Sequence, residues 1–497
     1  MTSIEVITED SNSKLKSKLQ NKPSSKNKYL FFEEIYLAFK DWSLVSSAQC
    51  LPKVFQSENK CNKIVWLSLF LSFTFITFWF FVNGILDYLE YDVVSKIRVY
   101  SEDFLVYPII TFCHADQFPS KEAVKLFEDL EQENFNIFEM FTEIMLNNSF
   151  KDNNFQNYSA KAIYYINSRM NKSYYMDDNG KRSLSHDLKD IIQFCQFNSI
   201  PCLQSDFSWF FSYMYGNCFQ FNSKENVRKS IKSGGLGNGL MLTIKNLTNF
   251  NKYSFGDGLR VFVHNSTFFP SSADQILVET GKTTNIQIKK TFTYREQFPY
   301  SQCQDLSNFK SGIFDYIKRS NGLYRQNDCI ELCYQHNIIN DCKCFLTYLP
   351  VFKNISYGPC VGKSQMQCVF KQYINNRTLF EKKCALECPL ECYYVTYDLS
   401  SSSLNYPSKA FYNEFKKMFN EYENMTLEEY KETNLMIYVF LQSKEYTVIR
   451  EIPKISIVDL ISLLGGVLGI FLGFSIFTFI EIFEFLFKVI FLLIKRF

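Results

Sequence analysis

The run Leu463–Glu484, LLGGVLGIFLGFSIFTFIEIFE, constrains this chain more than any other stretch. It is apolar enough for a membrane core, yet it carries Gly465, Gly466, Gly469 and Gly473, then Ser475, then Glu481 and Glu484. A helix that only anchors a protein in lipid needs none of these. Glycines three and four apart let backbones approach closely inside a membrane. Carboxylates at that depth are costly and face a partner or a water-filled path. The segment therefore reads as the wall of a pore. The plainer alternative is that the glycines merely pack helices and Ser475 returns its hydroxyl to the carbonyl four residues back.

A second apolar run, Ile64–Ile85, carries no charge and is bounded by Lys63 and Asp87. About 20 apolar residues cross the hydrocarbon core. The chain divides accordingly into a cytoplasmic N-terminus (1–63), a first transmembrane helix (64–86), a large domain (87–453), a second, pore-lining helix (454–486, its apolar character continuing to Ile494) and a cytoplasmic tail (487–497). Three signals place 87–453 outside the cell. Residues 1–63 hold ten lysines against seven acids, and Lys488, Lys495 and Arg496 follow the second run, which favours the cytoplasm for both ends. Eight N-x-S/T sequons, at Asn147, Asn157, Asn171, Asn246, Asn265, Asn354, Asn376 and Asn424, all lie between the spans. Glycans are added on that side only. Fourteen of the sixteen cysteines lie there too, an even number that reads as seven disulfides in an oxidising compartment. Cys50 and Cys61 are left on the reducing side. The expected home is the plasma membrane, with both termini inside.

The net charge of +2 gives no reason to expect nucleic acid. No P-loop, HExxH or GxSxG motif is present, so no enzyme chemistry, cofactor or metal is called for. His114, His186, His264 and His336 read as ordinary loop or surface residues. Gly234–Gly239, GGLGNG, reads as a flexible loop. Residues 1–28 have the polar composition of a disordered segment. Phe31–Lys40 is amphipathic and suits the inner membrane face.

In the large domain, Val99–Phe112 reads as strand. Residues 121–146 follow a 3.6-residue period, with Phe127, Leu130, Phe138 and Phe141 as packing positions. Residues 239–292 turn β-rich, Lys409–Tyr422 reads as helix, and Asn434–Ile449 as a strand returning to the membrane. The densest cysteine region is Cys303–Cys392. Cys329 and Cys333 are four apart, as are Cys384, Cys388 and Cys392, which places each set on one helical face about 6 Å apart along the axis. Two antiparallel faces could be riveted by nested bridges, Cys329–Cys388 with Cys333–Cys384, at the Cα spacing a disulfide needs. Zinc is the alternative, disfavoured by the absence of CxxC pairs and of a nearby histidine pair.

Five motifs together resemble the degenerin/epithelial sodium channel/acid-sensing ion channel family, over about residues 30–490. They are YPIITFC (107–113), PYSQC (299–303), the order and spacing of the fourteen cysteines, CPLECYYVTYDLSSSSLNYPS (388–408) and LLGGVLGIFLGFSIFTFIE (463–481). The resemblance implies an α+β membrane protein with two transmembrane helices flanking a disulfide-rich ectodomain. That ectodomain would have a β palm with helical finger and thumb, and the channel would be a homo- or heterotrimer. The implied bridges are Cys113–Cys218, Cys195–Cys202, Cys303–Cys392, Cys329–Cys388, Cys333–Cys384, Cys342–Cys368 and Cys344–Cys360. Gly473, Phe474 and Ser475 fall on the selectivity filter. Ser462 falls on the gate position at which bulky residues hold degenerin channels open. Tyr91 and Tyr300 fall on an aromatic contact coupling thumb to membrane. Asp459 at the outer mouth and Glu481 and Glu484 at the inner vestibule would concentrate cations.

Three departures shape the expected function. Gln49-Cys50 stands at the N-terminal gating motif where the family has His-Gly. Phe474 replaces a small filter residue. Val93 and Arg98 stand where the acid-sensing histidine and its aspartate partner would be, so proton gating is not expected. The expectation is an amiloride-sensitive, sodium-permeable channel opened by an extracellular ligand such as a neuropeptide. Peptide-gated members are similar in size, and the Asn-, Lys- and Phe-rich composition suits an AT-rich invertebrate genome. Mechanical gating and a constitutive sodium leak are the alternatives within the family. Outside it stand an ATP-gated channel and a non-conducting disulfide-rich cell-surface receptor. Partners would be two further subunits, sodium and other cations, a peptide ligand and membrane lipid.

Overall fold

The computed structural model describes residues 25–494 apart from 47–49, 133–167, 225–227, 246, 249, 251–255, 266–274, 307–308, 320–323, 353–355, 370, 372–376 and 420–421. The chain forms two compact units, a first assembled from Met1–Val93 with Pro453–Phe497 and a second of Val94–Ile452. In chain order the split unit contributes α1 (Ser25–Val45), α2 (Cys50–Gln56) and α3 (Lys60–Leu89). The helix α3 contains the uncharged run and is long and apolar enough to cross a membrane. Only 6% of its most apolar window is buried within the chain, so its surface is apolar all round and suits lipid.

The second unit is built on two sheets. Its strands are β1 (Val93–Ser101), β2 (Ile109–His114), β3 (Ile192–Phe197), β4 (Phe207–Ser212), β5 (Gly216–Phe221), β6 (Gly239–Ile244), β7 (Gly258–His264), β8 (Gln275–Glu279), β9 (Lys282–Tyr294), β10 (Tyr393–Asn405) and β11 (Leu435–Pro453). One sheet runs β10-β9-β11-β6-β3, with β1 also on β11, and the other runs β8-β7-β2-β5-β4. The strand expected over Val99–Phe112 is thus broken into the end of β1, a two-residue strand Leu105–Val106 and β2, each in a different sheet. Pro108 stands between the last two, because it cannot donate to a ladder. Alternating residues explain the shared core: Ile110 and Phe112 of β2, Leu240, Leu242 and Ile244 of β6, Ile286 and Ile288 of β9, and Ile437, Val439 and Leu441 of β11 form one buried cluster. Tyr107 is fully buried among them, and its hydroxyl donates to the Val439 carbonyl at 2.7 Å. Burial pushes its pKa far above the usual phenol range.

The glycine-rich stretch is not a loose loop. A Cβ on Gly234 would meet the backbone of Ser443, and one on Gly239 would meet the Val439 carbonyl oxygen, both on β11. These glycines are small because a strand lies against them, which spacing in the sequence does not reveal. Replacing Gly239 by alanine therefore forces β6 from β11 and should cost about 3 kcal/mol. The check is the fraction of full-length chain that matures to its glycosylated surface form, which should fall several-fold. Unchanged maturation would mean that β11 yields without cost.

The helices of this unit include α4 (Lys121–Gln132), α5 (Gln326–Cys342) and α6 (Arg377–Glu387). Phe127 of α4 is buried against Phe118 at 5.0 Å between ring centroids. The Leu130 side chain, Phe138 and Phe141 lie outside the described residues. Between α5 and α6 the two nested bridges are present, Cys329–Cys388 and Cys333–Cys384, with Cα separations of 5.6 and 5.7 Å. Cys113–Cys218, Cys195–Cys202, Cys303–Cys392, Cys342–Cys368 and Cys344–Cys360 are also formed. Cys384, Cys388 and Cys392 do not share one helical face as their spacing suggests. The helix ends at Glu387, because Pro389 pushes Cys388 out of helical conformation. Cys392 then reaches Cys303 beside the short parallel pair Cys303–Gln304 and Leu390–Glu391.

Two of the histidines, His114 and His264, differ from expectation, whereas His186 lies in a loop and His336 is exposed. His114 and His264 are 4% exposed, and His186 lies 5.5 Å from His114 between ring centroids. Thr111 Oγ1 pairs with His264 Nε2 at 2.7 Å. His114 and His264 sit on β2 and β7, strands that are buried on both faces, so a residue at either position is covered. Of the sequons, Asn424 is exposed and Asn171 and Asn265 are half-buried, while the other five lie outside the described residues.

The chain then re-enters the first unit as α7 (Ile457–Leu472) and α8 (Ile476–Ile494). The continuous helix expected over 454–486 is two helices bent by 77° at a three-residue break, and the second runs on through the expected tail.

Candidate pore segment

Ser456 starts α7. Its hydroxyl accepts the Asp459 N–H at 3.1 Å, and the Asp459 carboxylate accepts the Ser456 N–H at 3.0 Å. Such a reciprocal capping box satisfies two helix-end donors. The pattern Ser-Ile-Val-Asp spells it out, and it gives Asp459 a structural task that sequence reading missed. Just before it, Lys454 pairs with Asp92 at 2.8 Å, joining the segment that follows α3 to the one that leads into α7.

One face of α7 packs on α3. Leu460 and Leu472 are buried, and Phe471 meets Phe73 and Phe80 at 6.2 and 6.0 Å. A Cβ on Gly84 of α3 would stand 3.1 Å from Leu463, so this glycine sets how closely the helices approach. Asp459, Ser462, Gly466 and Gly469 are exposed and recur at steps of three and four, with Gly473 next in line. At about 100° per residue that stripe points roughly 160° away from the packing face. The small and polar residues are therefore the ones this chain leaves without an intrachain neighbour on α3.

Gly473 ends α7 in left-handed conformation, φ +69°, which a residue with a Cβ rarely adopts. Its N–H donates to the Gly469 carbonyl at 3.1 Å, and the Phe474 N–H to the Leu468 carbonyl at 3.2 Å. Carbonyls of the last turn have no partner further along the helix, and the helix dipole puts partial negative charge there. Ser475 does not bond back to the fourth preceding carbonyl. Its N–H donates to Thr478 Oγ1 at 3.0 Å, its Oγ lies 3.4 Å from the same oxygen, and its carbonyl accepts the Thr478 N–H. Ser475 and Thr478 thus cap α8, and Thr478 is a buried member of the site that the sequence did not single out. Phe474 is half-buried and turns its ring towards Phe479, 6.4 Å away.

Glu481, Glu484, Phe485 and Lys488 occupy one face of α8 and, with Asp41, Trp42 and Val45 of α1 and Ser46 just after it, line a cavity of about 260 Å³. Glu481 and Glu484, expected at an inner vestibule, are therefore brought beside the N-terminal helix. Gln49 lies outside the described residues, and Cys50 begins α2. Tyr91, at φ +52° and with its ring 5.8 Å from Tyr88, belongs to this unit. Tyr300 belongs to the other, where its N–H donates to the Gln297 carbonyl at 3.0 Å. Among the described residues no group of three histidine, cysteine, aspartate or glutamate side chains is arranged to hold a metal.

Residues 44–485 match the family model described as amiloride-sensitive sodium channel. A bile acid-sensitive ion channel from Rattus norvegicus is 25% identical over 90% of this chain and 87% of its own length. Acid-sensing ion channel 1A from Danio rerio is 24% identical over 89% and 86%. The alpha subunit of the epithelial sodium channel from Cavia porcellus is 27% identical over 64% of this chain and 48% of its own. With the family model matched over most of its length, from the end of α1 into α8, the chain belongs to the amiloride-sensitive sodium channel family.

Proposed function

We propose that this chain is a subunit of a trimeric, sodium-permeable channel of the plasma membrane, opened by an extracellular ligand such as a peptide and blocked by amiloride. The observation that carries the reading is the capped break Gly473-Phe474-Ser475 within an otherwise apolar segment. It lies in line with a small and polar stripe that faces away from α3. Three copies of that stripe around an axis would bring glycines close enough for backbones to approach. Carbonyls at the end of α7 and the Ser475 hydroxyl would then replace part of a cation's water shell. Asp459 at one end and Glu481 and Glu484 at the other would raise the local concentration of cations. Between the membrane and the stimulus stands a unit braced by seven bridges, each worth about 2–4 kcal/mol. That rigidity suits a lever better than a loose receptor.

Expression in oocytes, alone and with related subunits, tests the reading directly. The stimuli would be peptides, acid, bile acids (a class named in the rat relative) and membrane stretch, each with and without amiloride. The filter assignment predicts that Ser475→Ala changes the sodium-to-potassium permeability ratio at least threefold while surface expression persists. An unchanged ratio would remove Ser475 from the filter. Silence under every stimulus and partner would favour a non-conducting receptor.

A further inference from the structure

The lower half of the second membrane segment is held in an unexpected way. The 77° bend means that α8 does not continue the axis along which α7 packs on α3. Its neighbour is instead α1, some 440 residues earlier in the chain. Trp42 Nε1–H donates to the Glu481 carbonyl at 3.0 Å. That carbonyl is also the natural acceptor of the Phe485 N–H one turn on. The Trp42 ring meets Phe485 at 5.2 Å, and Phe39 meets the same ring at 6.0 Å. Phe39 in turn meets Phe55 of α2 at 6.1 Å, and Lys53 of α2 lies 4.4 Å over the Trp66 ring of α3. A continuous chain of contacts therefore runs α3–α2–α1–α8, closing a loop with the α3–α7 contact above.

We propose that Trp42 is a positioning residue: it latches the cytoplasmic helix to α8 and so sets the angle of α8 below the Gly473–Ser475 break. Three observations carry this. The indole supplies a directed hydrogen bond where the surrounding contacts are aromatic and slippery, so it fixes register as well as proximity. The bond lands on Glu481, less than two turns from the Ser475–Thr478 cap, so a change of tilt there is transmitted through a short rigid helix. The cavity of about 260 Å³ beside the latch, between Asp41 and Ser46 on one wall and Glu484 and Lys488 on the other, leaves space into which α8 can swing once the bond is released. The functional half of the proposal rests on the pore reading given above. The structural half does not.

The experiment keeps the two apart. In full-length chain carrying Cys50→Ser and Cys61→Ser, introduce Ser46→Cys with Lys488→Cys and treat membranes with a short bifunctional maleimide. After proteolytic cutting between the spans and reduction, the halves stay joined only where the cross-link formed. The parent should cross-link; Trp42→Ala should lower the yield at least fivefold, and Trp42→Phe, which keeps the ring and loses the donor, should fall between. In otherwise unaltered full-length chain, with Cys50 and Cys61 retained and no cysteine added, Trp42→Ala should shift the sodium-to-potassium permeability ratio at least threefold. Surface glycosylated protein must be present in each, and the Phe variant guards against misfolding of the Ala variant. Equal cross-linking with and without Trp42 would overturn the latch. Lost cross-linking with an unchanged permeability ratio would overturn its bearing on the pore. A parent that never conducts would sink the channel reading while the cross-linking result still decides the latch.

Discussion

Ser462→Cys, modified with a bulky thiol reagent applied from outside, should lock the channel open and raise standing current at least tenfold. Ser462 is exposed on α7, three residues beyond the capped Asp459 and four before Gly466, on the face turned away from α3. If three such faces meet at an axis, the closed state brings three small side chains together. Protein interiors resist added volume, at about 1–3 kcal/mol for a few methylenes. Three added groups at one level together supply about 3–9 kcal/mol, a range that spans the roughly 5.5 kcal/mol that converts a 1:99 equilibrium into 99:1. The opposite face gives the control. A cysteine at Leu460, which is buried against the first unit's own helices, should react slowly and lower expression rather than raise current. Labelling of Ser462→Cys with no change in current would remove this position from the gate. It would also weaken the assignment of the whole stripe to the pore.

Much of the architecture was legible because it is written in local patterns. Uncharged runs of membrane length, period-2 alternation in residues 239–292 and the ordered cysteines each point to one element. What was not legible depended on partners distant in sequence. Gly239 reads as flexible until β11 is placed against it. His114 reads as a surface residue until β7 pairs with β2 and covers it, Leu259 opposite His114. The three-cysteine face failed on a local rule that was available, Pro389, and was outweighed by the regularity of the spacing. The break at Gly473 was half legible. Glycine before a filter-like serine signals a special backbone, yet hydropathy alone runs through it as one helix. Trp42 carried no sequence signal at all, since nothing local to α1 names Glu481 as its acceptor.

Acid should loosen the sheet that contains β2 and β7. The Asp116 N–H donates to His114 Nδ1 at 3.0 Å, so the neutral ring carries its proton on Nε2, a buried atom with no hydrogen-bond partner among the described residues. Burial first, and then the neighbouring His186, push the His114 pKa down to about 4; Asp116 and Asp257 only partly oppose this. His186, whose Nε2 pairs with the Thr248 carbonyl at 2.7 Å and which feels Asp190, is lowered as well, chiefly by burial. The folded chain thus binds fewer protons than the unfolded one between pH 6.5 and about 4. The stabilisation is complete above the unfolded value and is lost as pH falls towards the folded one, a loss of about 2 kcal/mol at pH 5 from His114 alone. Hydrogen exchange of β2 and β7 should accelerate roughly thirtyfold between pH 7.5 and 5 once the intrinsic chemical rate is divided out. His114→Gln removes the titration and should flatten most of that dependence. An equal acid response in the Gln variant would place the sensitivity elsewhere. An acid response confined to this sheet would be one of packing, distinct from any opening of the pore. Acid-evoked current that survives in His114→Gln would therefore have to come from other groups, because this ring no longer titrates and, where present, its protonation is opposed by burial and by His186.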